Sequence, residues 1–361
     1  VRVTTDPAGS MAPTLVQLGV DIAFVAGAMG WSMLDEDYTS SLQKAQDMGV
    51  RFDFEIGPLE HSDHPNAMWI EAEGKGGADL VAGAESVGGG SILFTHFDRW
   101  PVSLTGETWD VLVEASGQSP SQVEAILTDA NDSIELTPTE LDGAVLIHAR
   151  RKSPLDTKLS NQVQGIPGVR SVRSLSPLVP VKSGEGLFMS ATEMVSEAES
   201  RGSTLGQIAL SHEAALLGTP TSEVLQEISR RLEIMEESVR FGLDDRRSDM
   251  MLLKPTASRI LDSEAHGKVA IGGIQTRAAA RSLAAMHACN SRAVVCAAPT
   301  GGSAGVIPGV LSSLIEERGL DRGSAALALL AAGAVGSVIS KRATFAAETA
   351  GCQVEIGAAG A

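Results

Sequence analysis

Aromatic residues and basic charge are both scarce in this chain. Only 4% of its 361 residues are aromatic, with a single tyrosine, so it has few surfaces on which nucleotide bases could stack. Its 28 basic residues are outnumbered by 45 acidic ones, and the net charge of −17 opposes contact with a phosphate backbone. These two shortages argue against nucleic acid as a partner.

Cysteine is rare as well, and three residues in so long a chain do not make a disulfide framework. No secretory pattern of a charged and then an apolar segment opens the sequence. The most apolar stretch, 325–339, is short and rich in small residues, which predicts a buried helix and no membrane partner. We therefore expect a cytoplasmic protein whose thiols serve metal or redox chemistry, or simply the core.

Several common catalytic motifs are missing or incomplete. No Gly-Lys-Ser/Thr phosphate loop exists, and Gly88-Gly89-Gly90 precedes a predicted strand rather than the helix of a dinucleotide site. Residues 301–305 read G-G-S-A-G, like a hydrolase nucleophile turn. The last histidine, His287, precedes that turn, so the expected order of a hydrolase triad is not met. The cysteine spacing excludes a zinc knuckle.

Length and an apolar content of 43% allow two or three domains with sizeable cores. Hydrophobic periodicity predicts an α+β multidomain protein with an α+β domain at 1–107. A β-α-β-β-α-β order at 108–180 predicts a ferredoxin-like module. Residues 186–361 are predicted to be almost entirely helical, apart from an irregular stretch at 241–272.

The strongest chemical signal is the segment 296–309, C-A-A-P-T-G-G-S-A-G-V-I-P-G. A strand-like run at 293–298 enters a glycine-rich turn, and an apolar helix is predicted at 306–317. Glycines allow backbone N–H groups to converge on an anion, and a helix N-terminus adds positive potential. One interpretation is a carboxylate site beside a thiolate-bound metal. The other, which residue types alone favour, is a buried turn with a core cysteine.

Cys289, Cys296 and Cys352 could supply three thiolates to an iron–sulfur cluster with one open iron. An open iron is a Lewis acid that can bind a hydroxyl or thiol leaving group. The turn at 300–305 would then hold the substrate carboxylate. Removal of an α-proton needs a base with a pKa near neutrality, and His64 in a His-Pro-Asn turn is the best-placed candidate.

These residues resemble the iron–sulfur-dependent L-serine dehydratases, with their β and α chains fused in one polypeptide. The C-terminal half is similar to the α chain at 296–309 and at 351–357, G-C-Q-V-E-I-G. The N-terminal part is similar to the β chain at 9–14, G-S-M-A-P-T, at 64–66, H-P-N, and at the glycines 88–90. The middle module resembles the ACT-like module of that family.

The resemblance implies a homodimeric cytoplasmic lyase that uses an oxygen-sensitive 4Fe–4S cluster to convert L-serine to pyruvate and ammonia. It implies cluster ligation by Cys296 and Cys352, and Cys289 is the candidate for a third ligand in place of a family cysteine. His64 remains the candidate catalytic residue. The small amino-acid substrate would contact two groups of residues. The first group lies in the N-terminal part and consists of Ser10, Thr14 and Asn66. The second group lies in the glycine-rich turn and consists of Thr300, Gly301, Gly302, Ser303, Ala304 and Gly305.

The chain departs from the family pattern at three places. The family's Ser-Ser-Ser-His-Thr segment, expected to precede residue 1, is not found in residues 1–361. The family's Gly-His-Gly-Thr-Asp motif corresponds to 17–21, Q-L-G-V-D, so Leu18 replaces a histidine. The family cysteine expected after Gly-Cys-Gln is absent, and Ile356 and Gly360 occupy the plausible places. One alternative is a lyase whose substrate has shifted to cysteine or another β-substituted amino acid. The other is a non-catalytic amino-acid-binding or regulatory homologue without a cluster.

Overall fold

The computed structural model describes residues 1–74, 79–129, 132–250, 253–345 and 353–360. Contacts divide the chain into two compact units. Unit 1 comprises Val1–Leu15, Gly49–Val87 and Ser91–Gly184, and unit 2 comprises Val16–Met48, Gly88–Gly90 and Glu185–Ala361. The boundaries proposed from the sequence at residues 107, 180 and 186 remain a prediction.

The strands among the described residues belong to unit 1. In chain order they are β1 (Arg2–Thr5), β2 (Asp53–Ile56), β3 (Ala67–Glu73), β4 (Asp79–Gly88), β5 (Ser91–Phe97), β6 (Trp100–Leu104), β7 (Trp109–Ser116), β8 (Ser133–Leu141), β9 (Ala144–Arg151) and β10 (Val169–Leu175). One sheet has the order β2-β1-β3-β4-β5-β6, and the other has the order β10-β7-β9-β8. The α+β expectation is confirmed.

The helices among the described residues are most numerous in unit 2. In chain order they are α1 (Met11–Thr14), α2 (Val20–Ala28), α3 (Ser41–Asp47), α4 (Ser119–Asp129), α5 (Thr157–Gln164), α6 (Ala191–Arg201), α7 (Leu205–Leu217), α8 (Thr221–Leu243), α9 (Ala257–Ala265), α10 (Ile274–Asn290), α11 (Val306–Arg318), α12 (Arg322–Ser340) and α13 (Gln353–Gly360). A short 3₁₀ helix covers Tyr38–Ser40.

The second sheet has the strand order that a ferredoxin-like module requires. Strands β7 and β9 pair antiparallel along their length, and β10 and β8 flank them antiparallel. Helices α4 and α5 follow β7 and β9 in the chain, which gives the predicted β-α-β-β-α-β sequence. Alternate strand residues such as Val111, Val113 and Ile147 form its fully buried core. An ACT-type role for the module stays a prediction.

Small residues let the helices of unit 2 approach closely. A Cβ added to Gly242 of α8 would lie 2.5 Å from the carbonyl carbon of Ala284 in α10, and closer still to its oxygen. Ala280, Ala284 and Ala285 of α10 are fully buried. Alanine and glycine therefore determine the spacing of α8 and α10, because any larger side chain would push the two backbones apart.

Two local predictions were wrong. The strand-like run at 293–298 is irregular, because the β-branched pair Val294-Val295 has no neighbouring strand among the described residues of this helical unit. The stretch predicted to be irregular at 241–272 contains α9, which the polar sequence concealed. Helix α8 begins after Pro220 and has no side-chain cap, although Thr221 and Ser222 at its start are residue types that often cap helices.

Helix α12 is only partly the buried helix that its sequence predicted. Ala325, Ala326, Leu330 and Ala334 are buried, yet they cover one face and only 22% of the most apolar window lies inside the fold. By length and composition it is the one helix in the described ranges that could cross a membrane. A core helix of a soluble protein passes the same test.

An ion-pair network joins α10 to α11. The buried Arg281 donates through Nη1 to Ser313 Oγ at 2.8 Å and to Glu317 Oε1 at 2.7 Å. Arg277 Nη2 donates to the other oxygen of Glu317. Hydrogen bonding to Arg277, reinforced by Arg281, lowers the pKa of Glu317 to about 2.

This depressed pKa predicts an acid-sensitive stability. The ionised Glu317 stabilises the fold fully above its ordinary pKa of 4.5, and the contribution is lost as pH falls towards 2. We expect Glu317→Gln to lower the unfolding temperature at pH 7 and to reduce its dependence on pH between 5 and 3. Glu227, whose pKa is also lowered to about 2, should preserve part of that dependence. Calorimetry measures the unfolding temperature at each pH, with the exposed Glu199→Gln as control. If the unfolding temperature of Glu317→Gln depends on pH as strongly as that of the control, the prediction is contradicted.

Candidate functional site

Four predicted site residues lie together in unit 1, around the buried Asn66. The side-chain oxygen Oδ1 of Asn66 accepts from Ser10 Oγ at 3.2 Å and from the Met11 amide at 3.3 Å. Thr14 Oγ1 donates to the Ser10 carbonyl at 2.7 Å. The backbone N–H of Asn66 donates to His64 Nδ1 at 3.2 Å. Asn66 thus connects the start of α1 to the His-Pro-Asn turn.

The bond from the Asn66 amide also fixes the chemistry that His64 offers. Since Nδ1 accepts this bond, the neutral ring carries its proton on Nε2. The His64 amide is held by Ser62 Oγ at 3.0 Å, and that hydroxyl donates to Glu85 Oε1 at 2.7 Å. In this arrangement His64 presents a hydrogen-bond donor at Nε2, and the lone pair on Nδ1 that a base would use is already engaged.

Gly9 is needed for close packing in the same cluster. A Cβ at this position would lie 2.6 Å from the carbonyl carbon of Pro65 and 2.8 Å from Asn66 Oδ1. The turn before α1 can therefore approach the His-Pro-Asn turn only with glycine here. This is a steric reason for the glycine of the G-S-M-A-P-T segment.

In unit 2, the hydroxyls of the loop before α11 hold the loop itself. Ser303 Oγ accepts from the Thr300 amide at 3.2 Å, lies 3.0 Å from Thr300 Oγ1, and donates to the Ala298 carbonyl at 3.2 Å. Thr300, Ser303 and Ala304 are all buried. These three predicted substrate contacts therefore shape the loop, and only its backbone is left to meet a ligand.

A carboxylate of the chain itself lies against this loop. A Cβ added to Gly302 would lie 2.9 Å from Cδ of Glu355, and closer to its Oε2. Glu355 belongs to the first turn of α13. Within the described ranges, the amides of Gly301 and Gly302 bond to no protein acceptor. The predicted carboxylate-binding loop thus has room for a carboxylate at Gly302.

The two other glycines of the motif have a packing role. A Cβ at Gly305 would lie 2.9 Å from Met286 Cγ, and closer to the Ser282 carbonyl oxygen. At Gly309 it would lie 2.6 Å from the Ser282 amide nitrogen and 2.7 Å from the Ala278 carbonyl oxygen. The start of α11 therefore packs directly on the backbone of α10.

The two described thiols line different cavities. Cys289 Sγ lies 3.9 Å from the Gly301 carbonyl oxygen and lines a cavity of about 200 Å³. Cys296 Sγ lies 3.6 Å from the Arg231 carbonyl oxygen and lines a cavity of about 930 Å³ between α8, α11 and α12. Burial raises the pKa of both thiols, and the nearby Arg231 partly offsets this at Cys296. Both groups therefore favour the neutral thiol over the thiolate.

Residues 169–361, which include this loop and all three cysteines, match the family model described as serine dehydratase alpha chain. The chain belongs to the serine dehydratase family. It is 26% identical over 173 residues to a probable L-serine dehydratase alpha chain of Bacillus subtilis, which is 48% of this chain and 58% of that one. It is 39% identical over 88 residues to the corresponding chain of Latilactobacillus sakei, covering 24% and 42%.

Beta chains of serine dehydratases match as well. The L-serine dehydratase beta chain of Peptoniphilus asaccharolyticus is 26% identical over 163 residues, which is 44% of this chain and 73% of that one. Matches to both chain types confirm the resemblance inferred from the motifs. The chain spans about two fifths to three fifths of the alpha-chain relatives it matches.

The serine dehydratase resemblance raises the question of whether a 4Fe–4S cluster fits this chain. Among the described residues, no group of three His, Cys, Asp or Glu side chains is placed to hold a metal ion. Cys352 lies outside the described residues, and the two described thiols are half-buried in separate cavities. The described residues alone therefore do not supply the three thiolates that such a cluster needs.

Sequence reasoning missed three residues of this serine dehydratase homologue. The sequence shows Glu355 only as part of a family motif, and no local pattern points to Tyr38 or Arg292. Arg292 and Tyr38 line the Cys289 cavity together with Leu18, the residue in place of the family histidine. Their separation in the chain hid this proximity, and only the lone tyrosine stood out by composition.

Proposed function

We propose that the chain is an ammonia-lyase that eliminates the β-substituent of L-serine or of a β-substituted relative such as L-cysteine. The observation that supports this most directly is the carboxylate of Glu355 against Gly302. It indicates that the loop of the serine dehydratase motif suits a carboxylate. A substrate amino acid would place its own carboxylate there, held by backbone N–H groups.

The remaining roles are proposed from the family motifs. Glycines 301, 302 and 305 and the loop residues Thr300, Ser303 and Ala304 would shape the carboxylate site. His64 would contact the leaving group, and because its Nδ1 accepts from the Asn66 backbone amide, its Nε2–H would donate a hydrogen bond there. Ser10, Thr14 and Asn66 would orient His64 and the substrate.

The 4Fe–4S cluster is a separate part of the proposal, with Cys296, Cys352 and Cys289 as its ligands. When bound, such a cluster supplies a Lewis acid for the leaving group. Since the described thiols do not complete a ligand set, no step is assigned to it. A homodimeric, cytoplasmic enzyme is proposed on the same family resemblance.

Anaerobic reconstitution followed by an activity assay tests the proposal. We expect the protein to bind iron and acid-labile sulfide and to release pyruvate from L-serine or L-cysteine. Full iron content in Cys296→Ala would refute that ligand assignment. Amino-acid binding by a protein with neither iron nor turnover would instead support the non-catalytic homologue.

The contact at Gly302 makes Glu355 a competitor of the substrate carboxylate. We expect Glu355→Gln to bind L-serine about tenfold more tightly, because the rival charge is gone while the side-chain shape is kept. Calorimetric titration of the anaerobic protein measures this affinity. The exposed Glu199→Gln of α6 is the matched control. Equal affinities in wild type and Glu355→Gln would show that the two carboxylates do not share the loop.

A further inference from the structure

Apart from Cys289, the Cys289 cavity is lined by residues to which the proposed elimination assigns no role. Three segments of unit 2 build it, namely 18–22, the region of Met33 and Tyr38, and 289–295 at the end of α10. Its volume of about 200 Å³ is below the roughly 300 Å³ at which pockets for drug-sized ligands begin. The cavity therefore suits a small molecule.

The wall of this cavity is mainly apolar, with a few polar groups. The polar groups are the Arg292 guanidinium, the Tyr38 phenol and the Cys289 thiol. The apolar side chains are Leu18, Ile22, Met33, Val294 and Val295. One cation and one phenol above an apolar wall complement a ligand with one anionic end and an aliphatic body.

Arg292 is held in an unusual backbone conformation. Its φ of 61° lies in the left-handed region, which a non-glycine residue adopts at an energetic cost. Its Nη2 donates to the Val16 carbonyl at 3.3 Å, so the side chain lies along the turn before α2. Gly19 lies beside this side chain, because a Cβ at that position would make an ordinary contact of 3.7 Å with Arg292 Nε. This conformation keeps the guanidinium at the cavity.

The charges around Tyr38 are consistent with the Arg292 guanidinium lying at the cavity. Burial raises the pKa of the Tyr38 phenol, and the buried Asp21 raises it further, while Arg292 acts in the opposite direction. The phenol is therefore protonated at neutral pH and can donate a hydrogen bond. The Asp21 carboxylate is itself engaged, since its Oδ1 accepts from the Ile22 amide at 2.9 Å.

We propose that this cavity binds a small aliphatic α-amino or 2-oxo acid, with Arg292 holding the carboxylate, Tyr38 donating a hydrogen bond and the apolar wall enclosing the aliphatic group. A guanidinium is well suited to this task because it pairs with a carboxylate through two N–H groups. No residue of the loop 300–305 lines this cavity, although Cys289 in its wall lies 3.9 Å from the Gly301 carbonyl oxygen, and binding there does not depend on turnover.

Calorimetric titration with L-valine tests the site. We expect wild-type protein to bind L-valine and to bind L-valinamide, which lacks the carboxylate, at least tenfold more weakly. Arg292→Gln should weaken L-valine binding about tenfold, and Arg292→Lys should weaken it less. The exposed Arg246→Gln of the same unit is the control and should bind like wild type. Equal affinity for L-valine and L-valinamide would overturn the proposal.

A second variant separates binding from folding, because Arg292 also holds the Val16 carbonyl. Leu18 is 71% exposed at the cavity mouth, so Leu18→Trp should obstruct the cavity without disturbing the core. We expect this variant to unfold at the wild-type temperature and to lose L-valine binding. Retained L-valine affinity in both Leu18→Trp and Arg292→Gln would overturn the site. Absence of L-serine turnover in wild type would refute only the proposed lyase.

Discussion

Replacing Gly309 with alanine is expected to cost about 3 kcal/mol of unfolding free energy. The added Cβ would lie 2.6 Å from the Ser282 amide nitrogen and 2.7 Å from the Ala278 carbonyl oxygen. Both atoms belong to the backbone of α10, so no side-chain rotation can relieve the overlap. Helices α10 and α11 would have to separate, and the loop before α11 would move with them.

Gly301→Ala is the matched control for this prediction. It lies in the same motif, yet a Cβ there would meet nothing within 4 Å. Urea-induced unfolding of both variants gives the comparison. A Gly309→Ala variant as stable as Gly301→Ala would show that α10 and α11 do not pack at this spacing.

The second large effect is expected at Gly9 in unit 1. Gly9→Ala would place a Cβ 2.6 Å from the Pro65 carbonyl carbon and 2.8 Å from Asn66 Oδ1. Relief would require the His-Pro-Asn turn to move, which would break the bonds from Ser10 and Met11 to Asn66. We expect a loss of about 3 kcal/mol in unfolding free energy and, under the proposed function, a loss of most of the L-serine turnover.

Gly57→Ala is the control in the same unit, because its Cβ would make only an ordinary contact of 3.6 Å with Thr4 Cγ2. Thermal unfolding measures stability, and pyruvate release under anaerobic conditions measures turnover. Wild-type stability of Gly9→Ala would contradict the packing of the two turns. Reduced stability with full turnover would instead remove the Asn66 cluster from the proposed chemistry.

Helices with clear end signals could be predicted from the sequence almost to the residue. Helix α6 lies between Ser190, whose side chain accepts from the Glu193 amide, and Gly202 in the left-handed conformation. Helix α7 has a capping box at Thr204 and ends at Gly218 in the same way. Local residue types determine such ends, so periodicity and caps suffice.

Features that depend on distant residues could not be predicted. The β-branched Val294-Val295 pair suggests a strand, but a strand needs a partner, and none is provided by the described part of unit 2. Nothing local to the G-G-S-A-G run distinguishes Gly302, which meets a carboxylate, from Gly305, which meets a helix backbone. The proposed meeting of Cys296 with Cys352 stays a prediction, since Cys352 lies outside the described residues.

Unit 2 is synthesised in separate parts, because segments of unit 1 lie between its residues 16–48 and its carboxyl-terminal half. Residues 16–48 leave the ribosome early, yet Cys289 and Arg292, which complete the cavity around Tyr38, emerge only after unit 1 has been made. The apolar Ile22 of α2, which lines this cavity and is buried in the finished fold, therefore remains exposed on the nascent chain through most of translation. Co-translational folding can finish unit 1 first, and the early helices must wait for the carboxyl-terminal half.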